Sequence, residues 1–411
     1  MRILVLCPHF APDVAPTGEV MTAITKALTD RGNEVHIITA LPWYREHSIE
    51  PGWGGKLRRT EVTDWGSITR LHPFPTNKAN IPARALAFGG FTVFATLTAL
   101  LRRQKADVVL VMSPPLPLGF AGWLTSVFRR IPFVFNIQDV FPDVVVELGV
   151  ITNKYAIRFF SAMEKFLYRR SGAVTVLSED LRDNLARKLA GHGPERVRVI
   201  PNFVDTDRIQ PLPRENSYRE QYGLTGKTVV LYAGNVGYSQ SLDLVIEAAR
   251  RNRERSDLVF VINGGGSALA ELTERARELD LKNLVFVEMQ PRERLSEVLA
   301  AADIHLIPLK KGLARSSVPS KLYSILASAR PVLASVDPAT EVANTIDRAG
   351  AGRWVAPEDA DAFCGALDEM LADPDRLTAM GEAGRSFVET WVSPAAVGEA
   401  YENLFKEFTG P

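Results

Sequence analysis

Only two cysteines, Cys7 and Cys364, occur among 411 residues. That scarcity excludes a disulfide framework and a cysteine zinc site, and it fits a reducing compartment. The six histidines, His9, His36, His47, His72, His192 and His305, show no paired ligand spacing, so the sequence carries no metal motif and no resident cofactor is expected. No apolar run reaches the ~20 residues that span a bilayer. The dinucleotide fingerprint GxGxxG is missing from the first strand and incomplete at Gly234 and at Gly264, which demotes a nicotinamide enzyme. Net charge is zero, with 48 basic and 48 acidic side chains, and a nucleic-acid partner is not expected.

What is present belongs to a soluble globular α/β protein: 46% hydrophobic and 23% charged residues on a chain long enough for two domains. The charge is unevenly divided. Residues 1–200 hold 25 Lys and Arg against 17 Asp and Glu, and the remainder 23 against 31. The basic half points to an anionic partner, either a phosphorylated substrate or a membrane surface.

The chain opens on a strand at Ile3–Leu6, with no signal peptide before it. A loop through His9 to Gly18 leads into a helix at Glu19–Asp30 and a strand at Glu34–Thr39, a βαβ unit whose ligands sit at the carboxyl ends of its strands. Further strands are expected at Val108–Met112, Phe133–Ile137 and Ala173–Leu177. Turn formers gather at residues 200–213, and a second series follows: strands Thr228–Tyr232, Leu258–Ile262 and Leu284–Val287 alternate with helices Leu242–Arg251, Ala268–Leu279 and Arg292–Ala301. The expected architecture is two doubly wound Rossmann-like α/β domains facing a cleft, residues 1–205 and 206–392, with a helix over 393–411.

The stretch Ile304–Ala334 is the most informative. A strand, Ile304 to Leu309, gives way to a loop with Arg315, Ser316, Ser317 and Ser320, then to a helix beginning at Lys321. A loop feeding a helix start presents free amides and the positive end of the helix dipole, which suits phosphate; a capped helix with solvated basic residues gives the same pattern. Gly234, Asn235, Gly237 and Gln240 join a strand to a helix, and Asn263-Gly264-Gly265-Gly266 follows the next strand; both loops permit close backbone approach to a ligand. Asp139, where the strand Phe133–Ile137 ends, either accepts a hydrogen bond from a substrate hydroxyl or caps the following helix. Met289 and Arg292 follow another strand end and either flank a base or pack on the surface.

Three stretches could meet lipid: Ala85 to Leu101, Pro114 to Phe128, and the basic amphipathic Tyr155 to Arg170. Core helices give the same apolar signal.

Together these pieces resemble the family 4 nucleotide-sugar-dependent glycosyltransferases, retaining enzymes of the GT-B fold. The resemblance rests on Pro16-Thr17-Gly18, Leu28 to Val35, Val174 to Ser178, Val199 to Asp207, Asn263 to Gly266 and Ala301 to Pro308. Within that family Gln138 to Asp143, Ala233 to Gln240 and Val318 to Ser324 are most similar to the bacterial exopolysaccharide branch of the colanic-acid and O-antigen kind.

The resemblance implies a nucleoside-diphosphate sugar donor on the second domain, an acceptor on the first, and no metal. Asp139 carries over from it as a catalytic candidate, and the basic helix start adds Arg315 and Lys321 as the remaining candidates to offset the charge of the leaving phosphate. Donor contacts would come from Gly18, Gly234, Asn235, Gly237, Gln240, Gly265, Met289, Arg292, Ser316, Ser317, Ser320 and Ser324, and acceptor contacts from His9, Asp13 and Thr17. It further implies attack from the leaving-group face, with a phosphate oxygen taking the acceptor's proton. The acceptor would be a glycan or a polyprenyl-diphosphate-linked sugar at the inner face of the cytoplasmic membrane. The chain departs from the pattern where the family's two glutamates fall on Ser316 and Ser324, where its Arg and Lys fall near Asn235 and Gln240, and where its His-Asp pair reads Gln138-Asp139. These departures keep two alternatives open, a silent sugar-nucleotide-binding partner of another transferase and a nucleotide-sugar epimerase of the same fold.

Overall fold

A computed structural model of the chain describes residues 1–45, 47–75, 81–143, 152–312 and 320–410. It divides into two units, Met1–Asn202 with Pro394–Pro411, and Phe203–Ser393.

The first unit is built on an eight-stranded sheet: β1 Arg2–Leu6, β2 Glu34–Ala40, β3 Arg58–Thr63, β4 Gly66–Leu71, β5 Val108–Ser113, β6 Phe133–Ile137, β7 Ala173–Val176 and β8 Val197–Val199, in the order β3-β4-β2-β1-β5-β6-β7-β8. Every pairing is parallel except β3 with β4. β5 is buried at all of its six residues, as expected of a strand covered on both faces. From β1 the chain runs outward to β2, β4 and β3 on one side and to β5–β8 on the other. The order therefore reverses between β1 and β5, and an open α/β sheet opens its ligand crevice at the carboxyl ends of such a pair.

Helices Ile81–Leu101, Leu118–Arg129 and Lys154–Arg170 pack in succession against one another. They correspond to the three stretches that could meet lipid; Gly89-Gly90 does not break the first of them. Leu86, Val93, Leu97, Leu101, Val127, Phe128, Tyr155 and Phe159 on these helices are exposed. Among the described residues no helix is long and apolar enough to cross a membrane. The terminal helix Pro394–Thr409 lies on the helix Pro16–Asp30. Gly398 permits that contact, since a Cβ there would stand 2.8 Å from Ala27 Cβ, and Arg31 reaches Glu402 at 2.5 Å.

The second unit holds a six-stranded, wholly parallel sheet: β9 Thr228–Ala233, β10 Leu258–Asn263, β11 Leu284–Val287, β12 Ile304–Pro308, β13 Val332–Ser335 and β14 Gly352–Val355, ordered β11-β10-β9-β12-β13-β14. Here the order reverses between β9 and β12, so the loops after these two strands flank the crevice. Both units are doubly wound Rossmann-like α/β structures. The hairpin β3–β4 has no counterpart in the sequence expectations, because β3 is a polar edge strand without an apolar alternation.

Candidate active site

In the second unit β9 delivers Gly234, Asn235 and Gly237, and the loop after β12 leads to the helix Ser320–Ala327. Lys321, in the first turn of that helix, turns back toward β9. Its ammonium lies 4.4 Å from the centroid of the Tyr232 ring and donates to the Tyr232 hydroxyl at 3.2 Å. That hydroxyl in turn donates to Asn235 O at 2.6 Å. No carboxylate pairs with Lys321 among the described residues, and burial lowers its pKa from 10.5 to about 8. Gly234 is glycine for two reasons: its φ is +145°, and a Cβ would stand 2.8 Å from Lys321 Nζ.

The two glycine loops pack on each other. A Cβ on Gly264 would stand 1.9 Å from Gly234 O, and one on Gly266 2.3 Å from Val236 O, while Val236 N donates to Gly265 O at 2.9 Å. Gly265, between them, has nothing within 4 Å of its Cβ position and is the member of the trio open to a ligand. Gln240 Nε2 donates to Ser239 Oγ at 3.3 Å, whereas Gln240 Oε1 is buried without a partner among the described residues. An orphaned acceptor of that kind costs about 1–3 kcal/mol until something donates to it. Met289 is exposed beyond β11, and Arg292 begins the short turn Arg292–Arg294. Ser324 lies on the same helix as Lys321. Ser320 begins that helix but its side chain is not described, and Arg315, Ser316 and Ser317 lie outside the described residues.

In the first unit, the loop after β1 carries His9 and Asp13, both buried, with His9 Nδ1 2.7 Å from Asp13 Oδ2. The other carboxylate oxygen of Asp13 accepts from Tyr44 N at 3.1 Å. Thr17 is half-buried and Gly18 buried in the first turn of Pro16–Asp30, a helix start with no side-chain cap. A Cβ on Gly18 would stand 2.9 Å from His9 Cβ, so His9 and the helix start touch.

Asp139 follows β6 with its side chain open to solvent and without a hydrogen-bond or ion-pair partner among the described residues. The protein around it still removes enough water to raise its carboxyl pKa. Its neighbour Gln138 faces inward. Gln138 Nε2 donates to Asn136 Oδ1 at 2.8 Å and Gln138 Oε1 accepts from Asn202 at 2.8 Å, while Asn136 donates to Tyr401 of the terminal helix at 2.8 Å. Gln138 is thus part of an internal relay.

Two groups escaped the sequence reading. Tyr232 looked like one more apolar strand residue, and nothing local marks it as the seat of Lys321. Lys188 Nζ bonds Asp143 at 2.8 Å and both oxygens of buried Glu164 at 2.8 and 3.0 Å. Burial raises the Glu164 carboxyl, against the opposing pull of Lys188. Among the described residues no group of His, Cys, Asp and Glu could hold a metal.

Residues 17–202 match the model of the glycosyl transferase 4-like domain, and residues 214–387 that of the glycosyl transferases group 1. WcaI of Escherichia coli strain K12, a glycosyl transferase assigned to colanic acid biosynthesis, is 28% identical over 395 residues, covering 93% of this chain and 95% of WcaI. The D-inositol 3-phosphate glycosyltransferase of Kineococcus radiotolerans is 32% identical over 410 residues, covering 92% and 89%. Among solved structures, HepE of Anabaena in complex with UDP has a TM-score of 0.68 at 14% identity over 99% of this chain and 100% of its own. That likeness concerns the fold, GT-B.

Proposed function

The chain belongs to the family 4 glycosyltransferases, and from that premise we propose that it takes its sugar from a nucleoside diphosphate with retention of anomeric configuration. The reading extends to an acceptor that is a glycan or a polyprenyl-diphosphate-linked sugar, in bacterial surface polysaccharide synthesis. The name of WcaI supports that setting.

One observation carries the donor assignment: a half-buried ammonium, Lys321, without a counter-anion among the described residues, held over Gly234 at the switch point of its sheet. A cation desolvated without a carboxylate is unfavourable by itself, and a diphosphate would relieve it. Breaking the sugar–diphosphate bond builds negative charge on the leaving group, so a fixed ammonium and helix-start amides lower the barrier more than they bind the ground state. Arg315, Ser316, Ser317 and Ser320 are proposed to complete that grip, and no metal is needed if Arg315 and Lys321 supply the positive charge. Gly18, Gly234, Asn235, Gly237, Gln240, Gly265 and Ser324 are proposed to line the donor, with Met289 and Arg292 beside the base. Asp139 is proposed to orient acceptor or sugar, and Thr17 to meet the acceptor.

The exposed apolar side chains on the three consecutive helices, the last of which also carries Lys154, Arg158, Lys165, Arg169 and Arg170, support contact with the inner face of an anionic membrane. Ser324 in place of a family carboxylate favours a second reading, a sugar-nucleotide-binding partner without turnover. Thermal shift against a panel of nucleoside-diphosphate sugars, followed by assay for sugar transfer, separates the two. Stabilisation with transfer supports the transferase, stabilisation without turnover the silent partner, and no stabilisation by any donor rejects both.

A further inference from the structure

Resting on the membrane contact proposed above, we propose that the first unit carries a discrete site for an anionic phospholipid, with the phosphate held by Arg170, Arg196 and Arg198 and the acyl region resting on one face of the helix Lys154–Arg170. The site stands apart from the ligand crevice of that sheet. It lies at the opposite, amino edge, where β6, β7 and β8 begin, and every residue in it belongs to the first unit. A cavity of about 520 Å³ opens there, lined by the three arginines together with Phe133, Ala173 and Phe408.

The arginines are weakly committed to carboxylates. Arg170 and Arg196 form no ion pair among the described residues, and Arg198 stands 3.5 Å from Glu407. Arg196 Nη1 donates to the carbonyls of Arg169 at 3.0 Å and Ser171 at 3.3 Å. That contact caps the last turn of the helix and covers the negative end of its dipole, which by itself would repel a phosphate. It leaves Nε and Nη2 of Arg196 without an acceptor among the described residues. A second hollow of about 430 Å³ shares Arg170 and adds Lys165 and Arg169. Five cations, Lys165, Arg169, Arg170, Arg196 and Arg198, thus line the two hollows against two carboxylates, Glu195 and Glu407. Guanidinium forks match the oxygens of a phosphate in pairs.

The apolar part of the site adjoins the charged part. Tyr155, Phe159, Ala162 and Phe166 follow one another at four, three and four residues, the spacing of a single helix face, and that face ends at Arg169 and Arg170. Tyr155 and Phe159 on it are exposed. Phe166 is fixed by Phe120 at 5.9 Å and Trp123 at 4.9 Å between centroids, and the Arg170 guanidinium lies 5.5 Å from its ring. An apolar stripe that ends in a group of arginines has the outline of an amphiphile, tail and headgroup, which neither a sugar nucleotide nor a free phosphate shares.

A polyprenyl phosphate has the same outline. The acceptor, however, reacts at the carboxyl edge of an open sheet, where such folds bind the ligands they act on. A lipid at the amino edge is therefore an anchor and not a substrate, and phospholipid of the bilayer fits that role.

The test uses the full chain with vesicles of phosphatidylcholine, with and without phosphatidylglycerol. Two double variants each remove two charges: Arg170→Gln/Arg198→Gln within the site and Lys154→Gln/Arg158→Gln outside it. Diffuse attraction depends on net charge and predicts equal losses. The site predicts that partitioning onto the anionic vesicles falls at least about tenfold further in the first pair, at unchanged melting temperature and unchanged donor-induced stabilisation. Dihexanoyl phosphatidylglycerol, titrated calorimetrically without vesicles, should saturate the wild-type protein and fail to saturate Arg170→Gln/Arg198→Gln. Equal losses in the two pairs overturn the site, as does tighter binding of inorganic phosphate or of undecaprenyl phosphate than of the phosphatidylglycerol probe. Failure of the wild-type protein to bind anionic vesicles at all overturns the membrane contact itself, and the site with it.

Discussion

Lys321 and Tyr232 stand 89 positions apart in sequence, yet the phenol accepts the ammonium's hydrogen bond and lies beneath it at 4.4 Å. The pair is a burial of charge that does the folded chain no good in isolation.

Removing that charge should therefore stabilise the ligand-free protein. Lys321 has its pKa lowered from 10.5 to about 8, so between those values the unfolded chain holds more protons than the folded one, and stability rises with pH across that window. Below it both states are protonated and the full penalty stands. Lys321→Met is expected to gain roughly 1–3 kcal/mol at pH 7, with the gain shrinking toward pH 10, while turnover falls about 100-fold or more. Urea melts at both pH values and an initial-rate assay check this; loss of stability at pH 7 would contradict it.

The two glycines at the same site should part company. Gly234→Ala meets both a φ of +145° and Lys321 Nζ at 2.8 Å, and should lose about 1–3 kcal/mol together with donor affinity. Gly265→Ala enters open space and should melt within about 0.5 kcal/mol of wild type. If Gly265 faces the donor, its variant loses affinity with no change in melting, as calorimetric titration with a nucleoside diphosphate would reveal.

Lys188 is structural in a different sense. Lys188→Met strands the buried carboxylate of Glu164 and should destabilise by about 3–5 kcal/mol. Adding Glu164→Gln removes the stranded charge and should recover much of the loss. A double variant no more stable than the single one would show that the pair is not coupled.

Liposome flotation probes the helices Ile81–Leu101, Leu118–Arg129 and Lys154–Arg170. Binding to anionic vesicles should weaken as salt rises and should fall several-fold in Phe128→Ser/Phe159→Ser, both exposed side chains, at unchanged melting temperature. Equal recovery with neutral vesicles would argue against an electrostatic surface.

The alternation of strands and helices was legible because parallel strands covered on both faces must be continuously apolar, as in Val108–Ser113 and Leu258–Asn263. Most element ends moved by a residue or two, the usual reach of fraying, but the helix expected from Glu19 begins at Pro16 and the one expected from Arg292 opens as the tighter turn Arg292–Arg294 before Leu295–Ala300. The hairpin β3–β4 was illegible for the opposite reason: Arg58-Arg59-Thr60-Glu61-Val62-Thr63 is an edge that solvent partly wets, and its pairing is decided by β4 rather than by its own pattern. Of the candidate site, the glycine loops were readable as loops, yet nothing local told Gly265, which is open, from Gly264 and Gly266, which the neighbouring backbone fills.

Local pattern, in short range along the chain, determined the doubly wound class of each unit and the presence of a basic helix start after β12, since periodicity and turn chemistry act between near neighbours. Tertiary structure alone decided which groups meet: Lys321 with Tyr232, Gln138 with Asn202, Lys188 with Glu164, Asn136 with Tyr401. Each of these is a polar group removed from water that had to find its partner far along the chain, and the free energy of such a meeting depends on a geometry that no stretch of sequence contains by itself.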